Sequence, residues 1–89
     1  MIDIKLYGPL REVVRQTEMD TKDQTAAQVL TQLCKKYPKL KPLMFDESGK
    51  FYSHYVILLN GENVWALKGM DTLVPDQSQI SLVYPIEGG

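Results

Sequence analysis

The sequence predicts a single two-layer α+β domain, and three observations carry that prediction: alternating strand patterns at both ends, one amphipathic helix between them, and 89 residues, room for one core only. Hydrophobic residues make up 44% of the chain and charged residues 24%, the usage of a globular chain and not of a disordered one.

Ile2, Ile4 and Leu6 alternate with Asp3, Lys5 and Tyr7, the period of two expected of a strand with one buried face. Gly8-Pro9 breaks that strand. Leu10 to Val14 reads as a turn or short helical stretch, and a second alternation runs through Thr17, Met19 and Thr21. The brief connection predicts an antiparallel pair. Thr25 followed by Gln28 is a capping box that opens a helix ending near Tyr37, before Pro38. Ala26, Val29, Leu30, Leu33, Cys34 and Tyr37 form its apolar stripe, while Gln28, Thr31, Gln32, Lys35 and Lys36 face water.

Residues 38–51 read as a long connection. Its Leu43-Met44-Phe45 triplet docks a short turn, and Asp46-Glu47-Ser48-Gly49 loops outward without adding a strand. Tyr55 to Leu59 is apolar throughout, the pattern of a strand covered on both faces. Asn60-Gly61 signals a tight hairpin with a short return strand over Asn63 to Trp65. Pro75, Asp76, Gln77 and Ser78 form a turn before a last strand carrying Ile80, Leu82 and Tyr84. The order is ββαβββ. A single helix can serve strands at both chain ends only by crossing over the sheet, which gives a β-grasp layout with the terminal strands parallel at its centre. The expected division is a domain over residues 1–84 and a flexible tail over 85–89.

Ten Lys and Arg against eleven Asp and Glu leave a net charge of -1, so no overall field attracts nucleic acid or anionic lipid. Lys35, Lys36, Lys39 and Lys41 cluster where the helix ends and complement its dipole; an electrostatic docking patch is the lesser alternative. MIDIKLYG lacks the features of a secretory signal and no segment reaches membrane-spanning length, so a soluble, cytoplasmic protein is expected. One cysteine and one histidine make neither an internal disulfide nor a structural zinc site, and metal chemistry is left to partners.

No Ser/His/Asp set, phosphate-cradling glycine loop or carboxylate pair stands out. His54 at a strand start reads as structural or solvent-facing, and Cys34 as a small hydrophobe on the helix stripe. What remains is the final dipeptide, Gly88-Gly89, with only three residues between Tyr84 and Gly88. At a glycine usage of about 7%, two terminal glycines arise by chance roughly once in two hundred chains.

LYGPLRE, the TxxQVLxQL helix, KYPKL, FDESG, ILLNGENV, MDTLVPD and the closing VYPIEGG together span nearly the whole chain. They resemble the small subunit of molybdopterin synthase and the related ubiquitin-like sulfur carriers and small archaeal modifier proteins. The resemblance implies a ubiquitin-like fold and places the chemistry on the Gly89 carboxylate, with Gly88 giving the tail access to deep sites. An α-carboxyl group with a pKa of about 3.5 is ionised at neutral pH and a poor electrophile. It therefore implies an E1-like adenylyltransferase partner that spends ATP, a persulfide sulfur donor, and a thiocarboxylate at Gly89. That sulfur would go to a pterin precursor in the large subunit of molybdopterin synthase. The chain itself binds no cofactor and is not an enzyme on its own.

Alternatives are a modifier joined through Gly89 to lysines, a carrier for thiamine, cysteine or tRNA thiolation, and an interaction module without tail chemistry. Gln77-Ser78 stands where such proteins commonly have Gly-Asp, Pro85-Ile86 where Pro-Pro often follows the last strand, and Glu87 where a small residue is frequent. The second face of Tyr55 to Leu59, with Val83 or Tyr84, is either a docking surface or covered by Leu43, Phe45 or Trp65.

Overall fold

The computed structural model describes residues 1–20, 24–52 and 55–83. Strand β1 (Ile2–Leu6) buries Ile2, Ile4 and Leu6 and leaves Asp3 and Lys5 half-buried on the other face. A 3-10 turn over Gly8–Glu12 follows, slightly earlier than expected. It starts on Gly8 in the left-handed region (φ 65°), which a residue without Cβ adopts freely, and it drives Leu10 fully into the core. β2 (Gln16–Met19) returns antiparallel with Ile2 opposite Met19 and Lys5 opposite Gln16. Thr21, expected on this strand, lies outside the described residues.

β3 (Gln24–Thr25) leads into α1 (Ala26–Lys36). The capping box is present: Thr25 Oγ1 accepts from the Gln28 amide at 3.2 Å, and Gln28 Oε1 accepts from the Thr25 amide at 2.9 Å. Ala26, Val29, Leu30, Leu33 and Cys34 are buried against the sheet, while Tyr37 is half-buried and ends the helix. The Lys36 ammonium does not reach the carbonyls of its own helix end. It donates to Thr17 Oγ1 and to the Glu18 carbonyl, both at 3.0 Å, and so staples α1 to β2.

Residues 38–51 behave as the sequence suggests. A 3-10 turn (Pro38–Leu40) and a single helical turn, α2 (Lys41–Met44), sink Leu40 and Met44 completely. Asp46 then accepts from the Ser48 hydroxyl (2.7 Å) and the Lys50 amide (2.9 Å), closing the outward loop. Phe45 and Phe51 form an isolated bridge and no strand.

β4 (Val56–Leu59) and β5 (Glu62–Asn63) form the hairpin, with Asn60 at φ 49° and Gly61 at φ 89° as its turn demands. Two expectations are corrected here. β4 is covered on one face only: Ile57 and Leu59 are buried, whereas Val56 and Leu58 stay half-exposed. The return strand stops at Asn63, because its side chain accepts from the Trp65 amide (2.9 Å) and starts a 3-10 turn that buries Val64.

β6 (Leu73–Val74) pairs with β3 in a small second sheet that the sequence did not reveal. Two-residue strands are too short to show a period. β7 (Gln79–Val83) closes the fold. The main sheet has the order β2-β1-β7-β4-β5, with β1 and β7 parallel (Ile4 beside Ile80, Leu6 beside Leu82) and β4 antiparallel to β7. The parallel central pair and the crossing helix make this a ubiquitin-like β-grasp fold. Among the described residues no helix is long and apolar enough to cross a membrane.

Candidate functional site

Gly88 and Gly89, the residues expected to carry the chemistry, lie outside the described residues, as do Tyr84, Glu87 and His54. The structure does show what the tail is attached to. Val83 ends β7, the middle strand of the sheet, opposite Val56 of β4. On the other side the Tyr7 amide donates to the Leu82 carbonyl at 3.0 Å. Ile80 and Leu82 on the same strand are completely buried, and each such side chain contributes about 1.5–3 kcal/mol. The base of the tail is therefore among the most firmly held parts of the backbone. Six residues beyond it reach at most about 20 Å when extended.

The outer face of the sheet, opposite α1, surrounds that base. Pairing sets it out in rows: Tyr7, Val83 and Val56 lie nearest the tail, then Gln16, Lys5, Ser81 and Leu58, then Glu18, Asp3 and Gln79. Leu43, Phe45 and Trp65 do not cover this face. Phe45 and Trp65 pack on Phe51, with Trp65 Nε1 donating to the Tyr55 carbonyl (2.9 Å), and Leu43 accepts from the Tyr55 hydroxyl (2.7 Å), all at the edge of the core. Val56, Leu58 and Val83 are left half-buried among the described residues. Sequence reasoning named the β4 side of this patch and missed Lys5 and Tyr7. The signal was present in the parallel pairing of the chain ends, which sets the outward residues of β1 beside those of β7.

Elsewhere the structure holds little chemistry. Cys34 is 8% exposed, and burial pushes its thiol up from the ordinary range although the Lys41 charge works the other way. It is a packing residue, as the helix stripe implied. Asp76 is ion-paired with the Met1 ammonium, which holds its carboxyl below the usual range. In the same turn Gln77 adopts φ 69°, the conformation that a glycine would take without strain, and its amide donates to the Met1 carbonyl at 3.0 Å. The departure noted at Gln77-Ser78 thus preserves the turn. No group of three or more His, Cys, Asp or Glu residues among those described could hold a metal ion.

Comparison with known proteins agrees with this geometry. Small archaeal modifier protein 3 of Haloferax volcanii is 31% identical over 99% of this chain and 98% of its own length. The crystal structure of small archaeal modifier protein 1 from the same organism superposes with a TM-score of 0.86 at 27% identity, covering 99% of this chain and 98% of that one. The solution structure of the Methanosarcina acetivorans small archaeal modifier protein 1 gives 0.81 at 31% identity, covering 99% and 95%. The ThiS family model matches residues 4–89, and the chain accordingly belongs to the ThiS family, within the ubiquitin-like group of sulfur carriers and protein modifiers.

Proposed function

We propose that the chain is a sulfur carrier whose reagent is the Gly89 carboxylate, activated as an acyl adenylate by an E1-like enzyme. The observation that carries this reading is the attachment of Gly88-Gly89, through four residues, to the buried central strand β7 beside a half-exposed apolar face. The face gives an activating enzyme something to grip. Without Cβ atoms the glycines form a thin chain that takes backbone angles closed to other residues.

In the first step a Gly89 carboxylate oxygen attacks the α-phosphorus of ATP and pyrophosphate leaves. A persulfide sulfur then attacks the activated carbonyl and displaces AMP. A second thiol cleaves the resulting acyl disulfide, which leaves a thiocarboxylate on Gly89 and a disulfide on the donor side. The preferred acceptor is a pterin precursor held by the large subunit of molybdopterin synthase, because the segment 38–53 makes the chain larger than minimal thiamine-type carriers. The folded body supplies no acid or base to these steps.

A second reading is favoured by the similarity to small archaeal modifier proteins: the same adenylate is captured by a lysine amine, with AMP leaving and an isopeptide bond forming. Intact-mass spectrometry after incubation with an E1-like enzyme, ATP and a persulfide donor separates the two. Replacement of one oxygen by sulfur supports the carrier, and lysine-linked adducts in extracts support the modifier. A chain that reacts in neither way, with ATP left unconsumed, would remove both.

A further inference from the structure

Three cations meet in one cleft at the end of the sheet from which residues 84–89 depart. The cleft has a volume of about 230 Å³ and is lined by Lys5, Leu6, Tyr7, Arg11, Arg15 and Gln16. It exists because the Leu6 amide donates to the Arg15 carbonyl at 2.9 Å where β1 and β2 part, while the Gly8–Glu12 turn carries Arg11 back to the same place. Two other cations are engaged: Lys36 by Thr17 and the Glu18 carbonyl, and the Met1 ammonium by Asp76. Among the described residues, the side chains of Lys5, Arg11 and Arg15 have no ion pair. A chain of net charge -1 thus gathers three cations beside its tail in a cleft that no carboxylate lines.

The rest of the outer face completes the pattern. Asp3 and Glu18 lie farther from the tail on the same two strands, β1 and β2, and the half-exposed Val56, Leu58 and Val83 lie beside the cleft on β4 and β7. An apolar patch flanked by charges is the anatomy of a protein interface, and the change of sign along β1 and β2, from cations near the tail to carboxylates away from it, fixes the direction of docking. The cleft is not built for a free phosphate. Backbone amides that would line an anion nest are already spent, Leu6 on Arg15 and Tyr7 on the Leu82 carbonyl.

We infer that this cleft receives carboxylates from the docking surface of the adenylating enzyme and so turns the tail end of the sheet toward that enzyme's nucleotide site. The inference rests on the proposed activation of Gly89. Its test is adenylation kinetics with the E1-like enzyme of the same organism, following pyrophosphate release. The R11E/R15E double variant should raise the KM for the carrier at least tenfold with kcat unchanged. Added sodium chloride should raise the wild-type KM steeply and that of the variant little.

K50E and K68E, on exposed residues away from the cleft, should match wild type. R11Q/R15Q serves the same purpose if the reversed pair unfolds. Carbodiimide coupling within the complex should join Lys5 to an Asp or Glu of the enzyme. A KM within twofold of wild type for a folded double variant, or coupling confined to Lys35, Lys39 and Lys41, overturns the cleft while leaving the activation of Gly89 intact. Millimolar inorganic phosphate that shifts the Tyr7, Arg11 and Arg15 amide resonances of the isolated chain would also overturn it. A wild-type chain that is never adenylated removes the proposed function and this inference together.

Discussion

Replacing Leu82 by alanine separates the folded body from the reacting tail. Leu82 is fully buried on β7, between Leu6 of β1 and Ile57 of β4, which are fully or almost fully buried themselves. Hydrogen-bonded ladders on both sides hold its neighbours in place, so the space left by the lost atoms collapses poorly and the cost should be about 3–4 kcal/mol. A domain of 89 residues has a total stability of about 4–13 kcal/mol. From a starting value of about 7 kcal/mol, the variant would keep about 3 kcal/mol and be roughly 1% unfolded. Urea titration followed by Trp65 fluorescence is a suitable assay, since that ring packs on Phe51 at 6.1 Å and loses this contact on unfolding. With a slope of about 1 kcal/mol per molar urea, the midpoint should fall by about 3–4 M. In the same preparation, adenylation without denaturant should keep its wild-type kcat. A midpoint unchanged by the substitution would refute the packing argument. A kcat reduced far beyond the unfolded fraction would refute the separation of body from reagent.

Deleting Gly89 should do the reverse, leaving the urea midpoint within about 0.3 M of wild type and abolishing adenylation, as read by pyrophosphate release. Thr25→Ala removes the hydroxyl end of the capping box and should cost about 1 kcal/mol, seen as a lower thermal midpoint by circular dichroism. The Asp46 carboxyl is held below its ordinary range, first by the Ser48 hydroxyl and then by the Lys50 amide. A depressed folded-state pKa gives stability that is complete above the unfolded value of about 3.9 and is lost as pH falls below it. Asp46→Asn should therefore flatten the dependence of the unfolding midpoint on pH below about 4, and leave its slope near neutrality unchanged.

Strong periodic elements were legible in the sequence because one physical requirement shaped every position in them. β1, α1 and the Asn60-Gly61 hairpin are of this kind, and once they are placed the parallel central pair follows from the connectivity. Elements built from one or two interactions were not legible. The β3-β6 pair has two residues on each side, and the end of β5 depends on a single side-chain cap at Asn63. Tyr55 to Leu59 misled for a different reason. An unbroken apolar run reads as burial on both faces, yet Val56 and Leu58 are apolar and half-exposed, and residue type alone does not separate an apolar side chain in the core from one on an open face. The tail chemistry rested on composition and resemblance, since Gly88 and Gly89 carry no periodic signal. The cluster of Lys5, Arg11 and Arg15 combines residues from a strand and two connections, and only the folded chain brings them together.

The middle strand of the sheet is the last to leave the ribosome. Until β7 emerges, β1 and β4 have no common neighbour and the apolar layer under α1 stays open, so a prematurely terminated product would have neither a closed core nor the terminal glycines. Synthesis thus places the closing of the body just ahead of the tail: a chain cut short before β7 offers an activating enzyme no finished sheet to recognise.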